Sequence, residues 1–226
     1  MKNRRTALIF AVFLLIFNLY IPVSGESDNV HQKTILIDPG HGGFDGGAES
    51  ATGTVEKDLN LKISLKLKAK LQQSGYKVVL TREDDRALCE NDKKIKNKKR
   101  IDLNNRCNMK QTSNCDLFLS IHMNKFPESK YYGAQVWYSE NPNSMKLAHL
   151  IQENFKSDLD DTNNRQEKPA KSQFKILRSF DTMPSVIIEC GFLSNPKENE
   201  KLKSDEYQDK IAESIKKSVN MYFQNI

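Results

Sequence analysis

Thr34-Ile35-Leu36-Ile37-Asp38-Pro39-Gly40-His41-Gly42-Gly43 begins as an unbroken apolar run and ends in a glycine-rich turn around one histidine. An apolar run that does not alternate reads as a strand buried on both faces, the habit of a parallel sheet covered by helices. The sequence downstream of it keeps that reading. From Lys57, Leu59, Ile63, Leu67 and Leu71 recur every fourth residue, Leu61 and Leu65 widen the face, and Gly75 stands where such a helix stops. Further strands are expected at Tyr76–Thr81, Asp116–Ile121, Ala134–Tyr138, Phe174–Leu177 and Val186–Ile188. Helices are expected from about Ile101 to Ser113, from Met145 to Phe155 and from Glu206 to Phe223, with 157–173 loop-like. Strands alternating with helices predict an α/β three-layer sandwich: a largely parallel central sheet of about six strands with helices on both faces.

The 226 residues, 38% hydrophobic and 28% charged, suit one globular domain. Four cysteines exclude a disulfide-dense scaffold, and no fixed-period repeat is visible. At the N-terminus, Lys2, Arg4 and Arg5 precede an apolar stretch from Ala7 to Val23, followed by the small residues of Val23-Ser24-Gly25. That pattern predicts an export signal or an uncleaved N-terminal membrane anchor over 1–25. A linker over 26–32 and one catalytic domain over 33–226 follow, delivered outside the cytoplasmic membrane, secreted or anchored.

The formal charge of +6 falls to +3 once the three leader cations are set aside. Lys93, Lys94, Lys96, Lys98, Lys99 and Arg100 more than account for the remainder. Basicity this local argues against nucleic acid as a partner. The run reads as a solvated loop, with contact to an anionic wall polymer, a membrane surface or a partner as the alternative. Cys89, Cys107, Cys115 and Cys190 form no C-x-x-C pair, which argues against a cysteine zinc site and leaves buried thiols as the simplest reading.

Ligands of open α/β sheets collect beyond the carboxyl ends of the strands. His41, His122 and Glu189 all fall at such ends, although the chain has only four histidines. Two histidines and one carboxylate form a usual ligand set for catalytic zinc. Glu56, opening the first helix, is a candidate third ligand, but a carboxylate there also suits the helix dipole. Spacing alone leaves Asp45 and Glu49 as competitors. Glu189, between Ile188 and Cys190, sits where an unpaired carboxylate is costly, so it either pairs with a base or serves the site as general base. His31 and His149 have no comparable support.

From Thr34 onward the chain resembles the zinc-dependent N-acetylmuramoyl-L-alanine amidases of the amidase_3 family. The resemblance rests on Ile37–Gly43, Glu56-Lys57, Leu80-Thr81-Arg82, Asp116–Asn124 and Ile188-Glu189-Cys190-Gly191-Phe192-Leu193-Ser194-Asn195, in order along nearly all of the exported chain. The compact single-domain form is most similar to the germination-specific amidases of spore-formers. The resemblance implies Zn²⁺ as cofactor, His41, Glu56 and His122 as its ligands and Glu189 as the catalytic glutamate. It implies a peptidoglycan glycan strand with its stem peptide as substrate, cut at the amide between muramic acid and L-alanine. It further implies a place in spore-cortex modification toward muramic-δ-lactam. Some family members are held inactive by an inserted helix and released by an activating protein. No clear inhibitory helix is visible here, and the lysine-rich stretch between Arg82 and Arg106 is longer than in many relatives. An exopeptidase or deacetylase with the same ligands, or a non-catalytic wall-binding subunit, are the competing expectations.

Overall fold

The computed structural model describes residues 32–89 and 94–225. The export segment, most of the linker, His31 and Lys93 therefore lie outside the described residues. In chain order the elements are β1 (Thr34–Pro39), α1 (Glu56–Gln73), β2 (Lys77–Leu80), α2 (Ile95–Thr112), β3 (Leu117–Asn124) and β4 (Gln135–Tyr138). They continue with α3 (Pro142–Asp158), β5 (Lys168–Pro169), α4 (Lys175–Arg178), β6 (Ser185–Phe192), α5 (Pro196–Lys203) and α6 (Asp205–Gln224). Among the described residues six strands form one sheet, ordered β2-β1-β3-β6-β4-β5. Neighbours are parallel except β4 against β6.

The non-alternating run has its cause in the packing. Ile35 and Ile37 join a core with Leu59, Ile63 and Leu67 of α1, Ile151 and Phe155 of α3, and Ile211, Ile215 and Val219 of α6. Leu36 faces the other way, into a smaller cluster with Phe118, Ile187, Cys107 of α2, and Ile176 and Leu177 of α4. Successive strand residues point to opposite faces, so a strand covered on both must be apolar throughout. The three-layer α/β expectation holds. Cys107, Cys115 and Cys190 are buried thiols, and burial pushes each of them above the usual thiol range.

Three local expectations are corrected. Phe174–Leu177 is not a strand: Phe174 caps the short helix α4. Ile176 and Leu177 are both buried in the same cluster, which one helical turn allows and strand alternation forbids. The sixth strand is instead the two-residue β5, parallel to β4, inside the stretch read as a loop. The lysine-rich run is not a loop from Ile95 onward but the opening of α2, whose first turn holds no acid. Cations at a helix N-terminus oppose the dipole and hide the usual start signal, which is why the helix reads as starting at Ile101. A signal for α5 was present: Asn195 accepts from the amides of Lys197 and Glu198, with Pro196 in the first turn. Among the described residues no helix is long and apolar enough to cross a membrane.

Candidate active site

Parallel β1, β3 and β6 bring His41, His122 and Glu189 to one sheet edge, with His122 and Glu189 direct register partners. His41 lies two residues past β1, at a φ of +62°. A left-handed backbone costs a non-glycine residue about 1–3 kcal/mol and persists only where the surroundings impose it. Two buried arginines impose it here. Arg82 donates from Nε to the Pro39 carbonyl at 3.0 Å and from Nη2 to the carbonyls of Gly40 at 3.0 Å and Lys57 at 2.9 Å. Arg106 donates to the carbonyls of Pro39 at 2.9 Å and His41 at 2.5 Å, and pairs with Asp38 at 2.7 Å.

Asp38 also accepts from Thr81 at 2.6 Å and Ser120 at 2.8 Å. Burial pushes its carboxyl up, but the Arg106 guanidinium and these hydroxyls hold it below the usual carboxylate range. Removing one partner of such a pair strands a buried charge. Arg106→Ala is therefore expected to cost about 3–5 kcal/mol of unfolding free energy. Urea denaturation checks this, and an unchanged midpoint would contradict the role given to the pair. The sequence assigns neither arginine a role, although Arg82 lies in a resembling segment. For Arg82 a cation just past a strand end is the one available signal; Arg106, inside α2, offers none.

Glu56 is the hub of the cluster. It opens α1, so a carboxylate suited to the helix dipole also stands between the two histidines. Its Oε2 lies 3.3 Å from His41 Nε2 and its Oε1 2.9 Å from His122 Nδ1. The amides of Ala48 at 2.7 Å and Met123 at 3.1 Å, and Asn60 Nδ2 at 3.4 Å, fix the carboxylate from behind. One ligand atom from each of His41, Glu56 and His122 lies within 4.8 Å of the others, so the trio could hold a metal ion. The rings of His41 and His122 sit 5.0 Å apart, edge to face. Gly40 permits this closeness, since a Cβ there would fall 2.2–2.7 Å from three atoms of the His122 ring.

Of the two competitors, Glu49 is exposed and outside the cluster. Asp45 stands one step back: its Oδ2 meets His41 Nδ1 at 3.0 Å and its Oδ1 meets Lys99 Nζ at 2.8 Å. Burial would lower the His41 pKa, but Asp45 and Glu56 together raise it to about 9. His149 is exposed and pairs with Glu167 at 3.1 Å, away from the site.

Glu189 is different in kind. Its Oε2 is buried with no hydrogen-bond partner among the described residues. Burial pushes its pKa up to about 7, with Glu56 adding to the rise and the two histidines opposing it. A buried polar atom left unpaired calls for an explanation, and a carboxylate poised near neutrality is suited to moving a proton.

The family model described as N-acetylmuramoyl-L-alanine amidase, Amidase_3, matches residues 35–221. The chain is 38% identical over 205 residues to the germination-specific N-acetylmuramoyl-L-alanine amidase of Bacillus subtilis (strain 168), covering 90% of this chain and 82% of the relative. It is similar to the CwlD amidase from Clostridioides difficile, solved in complex with the GerS lipoprotein, at 44% identity and a TM-score of 0.83. That match covers 86% of this chain and all of the other. A third similarity is to the catalytic domain of CwlV from Bacillus (Paenibacillus) polymyxa var. colistinus, at 28% identity and a TM-score of 0.71 over 85% of this chain and 99% of that one. With its fold and nearly its whole described length in agreement, the chain belongs to the Amidase_3 family of N-acetylmuramoyl-L-alanine amidases.

Proposed function

We propose that the chain is a zinc amidase that hydrolyses the amide between N-acetylmuramic acid and L-alanine in peptidoglycan, with His41, Glu56 and His122 holding the ion and Glu189 carrying the proton. One observation carries this reading: a single prepositioned carboxylate joins two imidazoles at the sheet edge, with an unpartnered acid in register beside them. Two histidines and one carboxylate leave a divalent ion with net positive charge and an open position, the donor set of a catalytic zinc site. Zinc, when bound, supplies the charge that polarises the lactyl carbonyl and lowers the pKa of water toward about 7. Glu189 takes a proton from the attacking water and delivers it to the alanine nitrogen as the C–N bond breaks. The products are a lactyl carboxylic acid on the glycan and a stem peptide with a free amine.

The kinship with a germination-specific relative favours spore-cortex peptidoglycan as the substrate. The bared muramic acid would then feed a deacetylation step toward muramic-δ-lactam. Residues 1–25 would act as export signal or anchor for a catalytic domain over 33–226, working outside the cytoplasmic membrane. The similar Clostridioides difficile amidase in complex with a lipoprotein supports a protein partner here as well.

Zinc stoichiometry together with mass analysis of digested muropeptides tests the reading. Intact stem peptides freed from muramic acid support it; shortened peptides or released acetate would replace it with an exopeptidase or deacetylase. Asp45 supplies a second check. A carboxylate on the far nitrogen of a ligating histidine fixes its orientation, and its loss typically costs 10–100-fold in metal affinity. Asp45→Asn is expected to weaken zinc binding by about that factor in a chelator competition titration. Undiminished affinity would remove Asp45 from the ligand scaffold.

A further inference from the structure

Beyond β4 lies a groove of about 280 Å³ lined by Lys130, Tyr131, Tyr132, Asn163, Asn164 and Arg165. We propose that this groove binds a carboxylate of the stem peptide, with Arg165 as the specificity-determining residue. The proposal rests on the amidase reading and extends it.

Position is the first argument. Gln135 is the β4 register partner of Glu189, and its Oε1 accepts from Arg165 Nη1 at 3.2 Å. The Arg165 guanidinium also lies 4.6 Å above the ring of Phe192, three residues past Glu189 on β6. Two contacts thus tie Arg165 to the cross-strand partner of Glu189 and to a residue three further along β6, one strand beyond those that carry the histidines and Glu189.

Its charge state is the second. Arg165 is half-buried, and the two oxygens it reaches among the described residues, Gln135 Oε1 and the Tyr132 carbonyl at 2.6 Å, are neutral. Glu198, whose charge it feels, already accepts from the amides of Gly133 at 3.0 Å and Phe192 at 2.8 Å. Stacking on Phe192 and the bond from its own amide to Asn163 at 3.0 Å hold the fork in place. A guanidinium fixed this way, lining the groove and with Nη2 outside both of those bonds, suits bidentate capture of a carboxylate. Lys130 adds a second cation at the rim, and half-exposed Tyr132 offers an apolar wall.

Chemistry decides which part of the substrate supplies the anion. The lactyl carboxyl of muramic acid is tied up in the scissile amide, so the glycan offers hydroxyls and acetamido groups. The peptide is the portion that carries carboxylates, and Arg165 in the groove bonds Gln135, the cross-strand partner of the acid that protonates the departing alanine.

The test compares two muramyl peptides, identical except that the residue after L-alanine bears either a carboxylate or a carboxamide. Wild-type zinc enzyme is expected to favour the carboxylate substrate by about 10–100-fold in kcat/KM, expressed mainly in KM. Arg165→Ala is expected to lose that discrimination, and Arg165→Lys to restore part of it by charge without the fork. Equal handling of both substrates by the wild type, or an Arg165→Ala loss of the same factor on each, overturns the proposal. Calorimetric binding of the same two peptides to Glu189→Gln gives the ratio without turnover. If the wild type cleaves neither peptide, the amidase reading falls, while the binding ratio still decides the groove.

Discussion

Glu189→Gln is expected to keep its full zinc content and to lose about 10²–10⁴-fold in turnover. The amide cannot accept a proton from water, yet it has nearly the shape of the carboxylate, so the neighbouring ligands are undisturbed. A second consequence separates this residue from a structural one. The carboxyl is held near pH 7, against an ordinary value of 4.5, chiefly by burial. Between those two values the unfolded chain releases this proton while the folded chain retains it, so stability falls as pH rises through the interval. Glutamine removes that penalty. Metal-free Glu189→Gln should therefore match the wild type below about pH 4.5 and exceed it above pH 7 by roughly 3 kcal/mol, measured by urea denaturation with chelator present. A variant that is less active and more stable is the signature of a group kept for chemistry at a cost to the fold. Retained activity, or loss of zinc with it, would contradict the assignment.

How far the sequence discloses this arrangement depends on what each residue signals locally. Ile35, Leu36 and Ile37 declare a doubly covered strand because burial on both faces leaves no polar alternate. The two strand-end histidines and Glu189 follow from that placement, since the ends of parallel strands meet at one edge. Glu56 is ambiguous by spacing because the same carboxylate satisfies the helix dipole, and the register of α1 against β3 is what brings it between the rings. Arg106 could not be read at all. It lies mid-helix among polar residues, and only the packing of α2 on the sheet brings it to Asp38 and the His41 carbonyl, 68 and 65 residues away. The α4 error has the same origin: four residues carry too little pattern to distinguish a helical turn from a strand until the surface they cover is known.

His122→Ala should do more damage than loss of the glutamate, emptying the site of zinc and taking activity to the level of the metal-free protein. Enzymes commonly accelerate their reactions by 10⁶-fold or more, and proton transfer accounts for about 10²–10⁴ of that. The remainder must come from the ion and from holding the substrate against it. With His122 gone, Glu56 and His41 are the two donors left, too few to fill a site that uses three protein ligands. Of the three proposed ligands, His122 is also the cleanest to remove. Glu56→Ala would strand the Ala48 and Met123 amides, and His41 sits on a strained turn clamped by Arg106, so either change would mix metal loss with disruption of the fold. His122, by contrast, lies within β3 without a positive φ, and its ring bonds the Glu56 oxygen at 2.9 Å. Metal analysis of the purified variant alongside muropeptide turnover provides the measurement. A His122→Ala protein that retains one zinc per chain would show that the ion is held by a different set of residues.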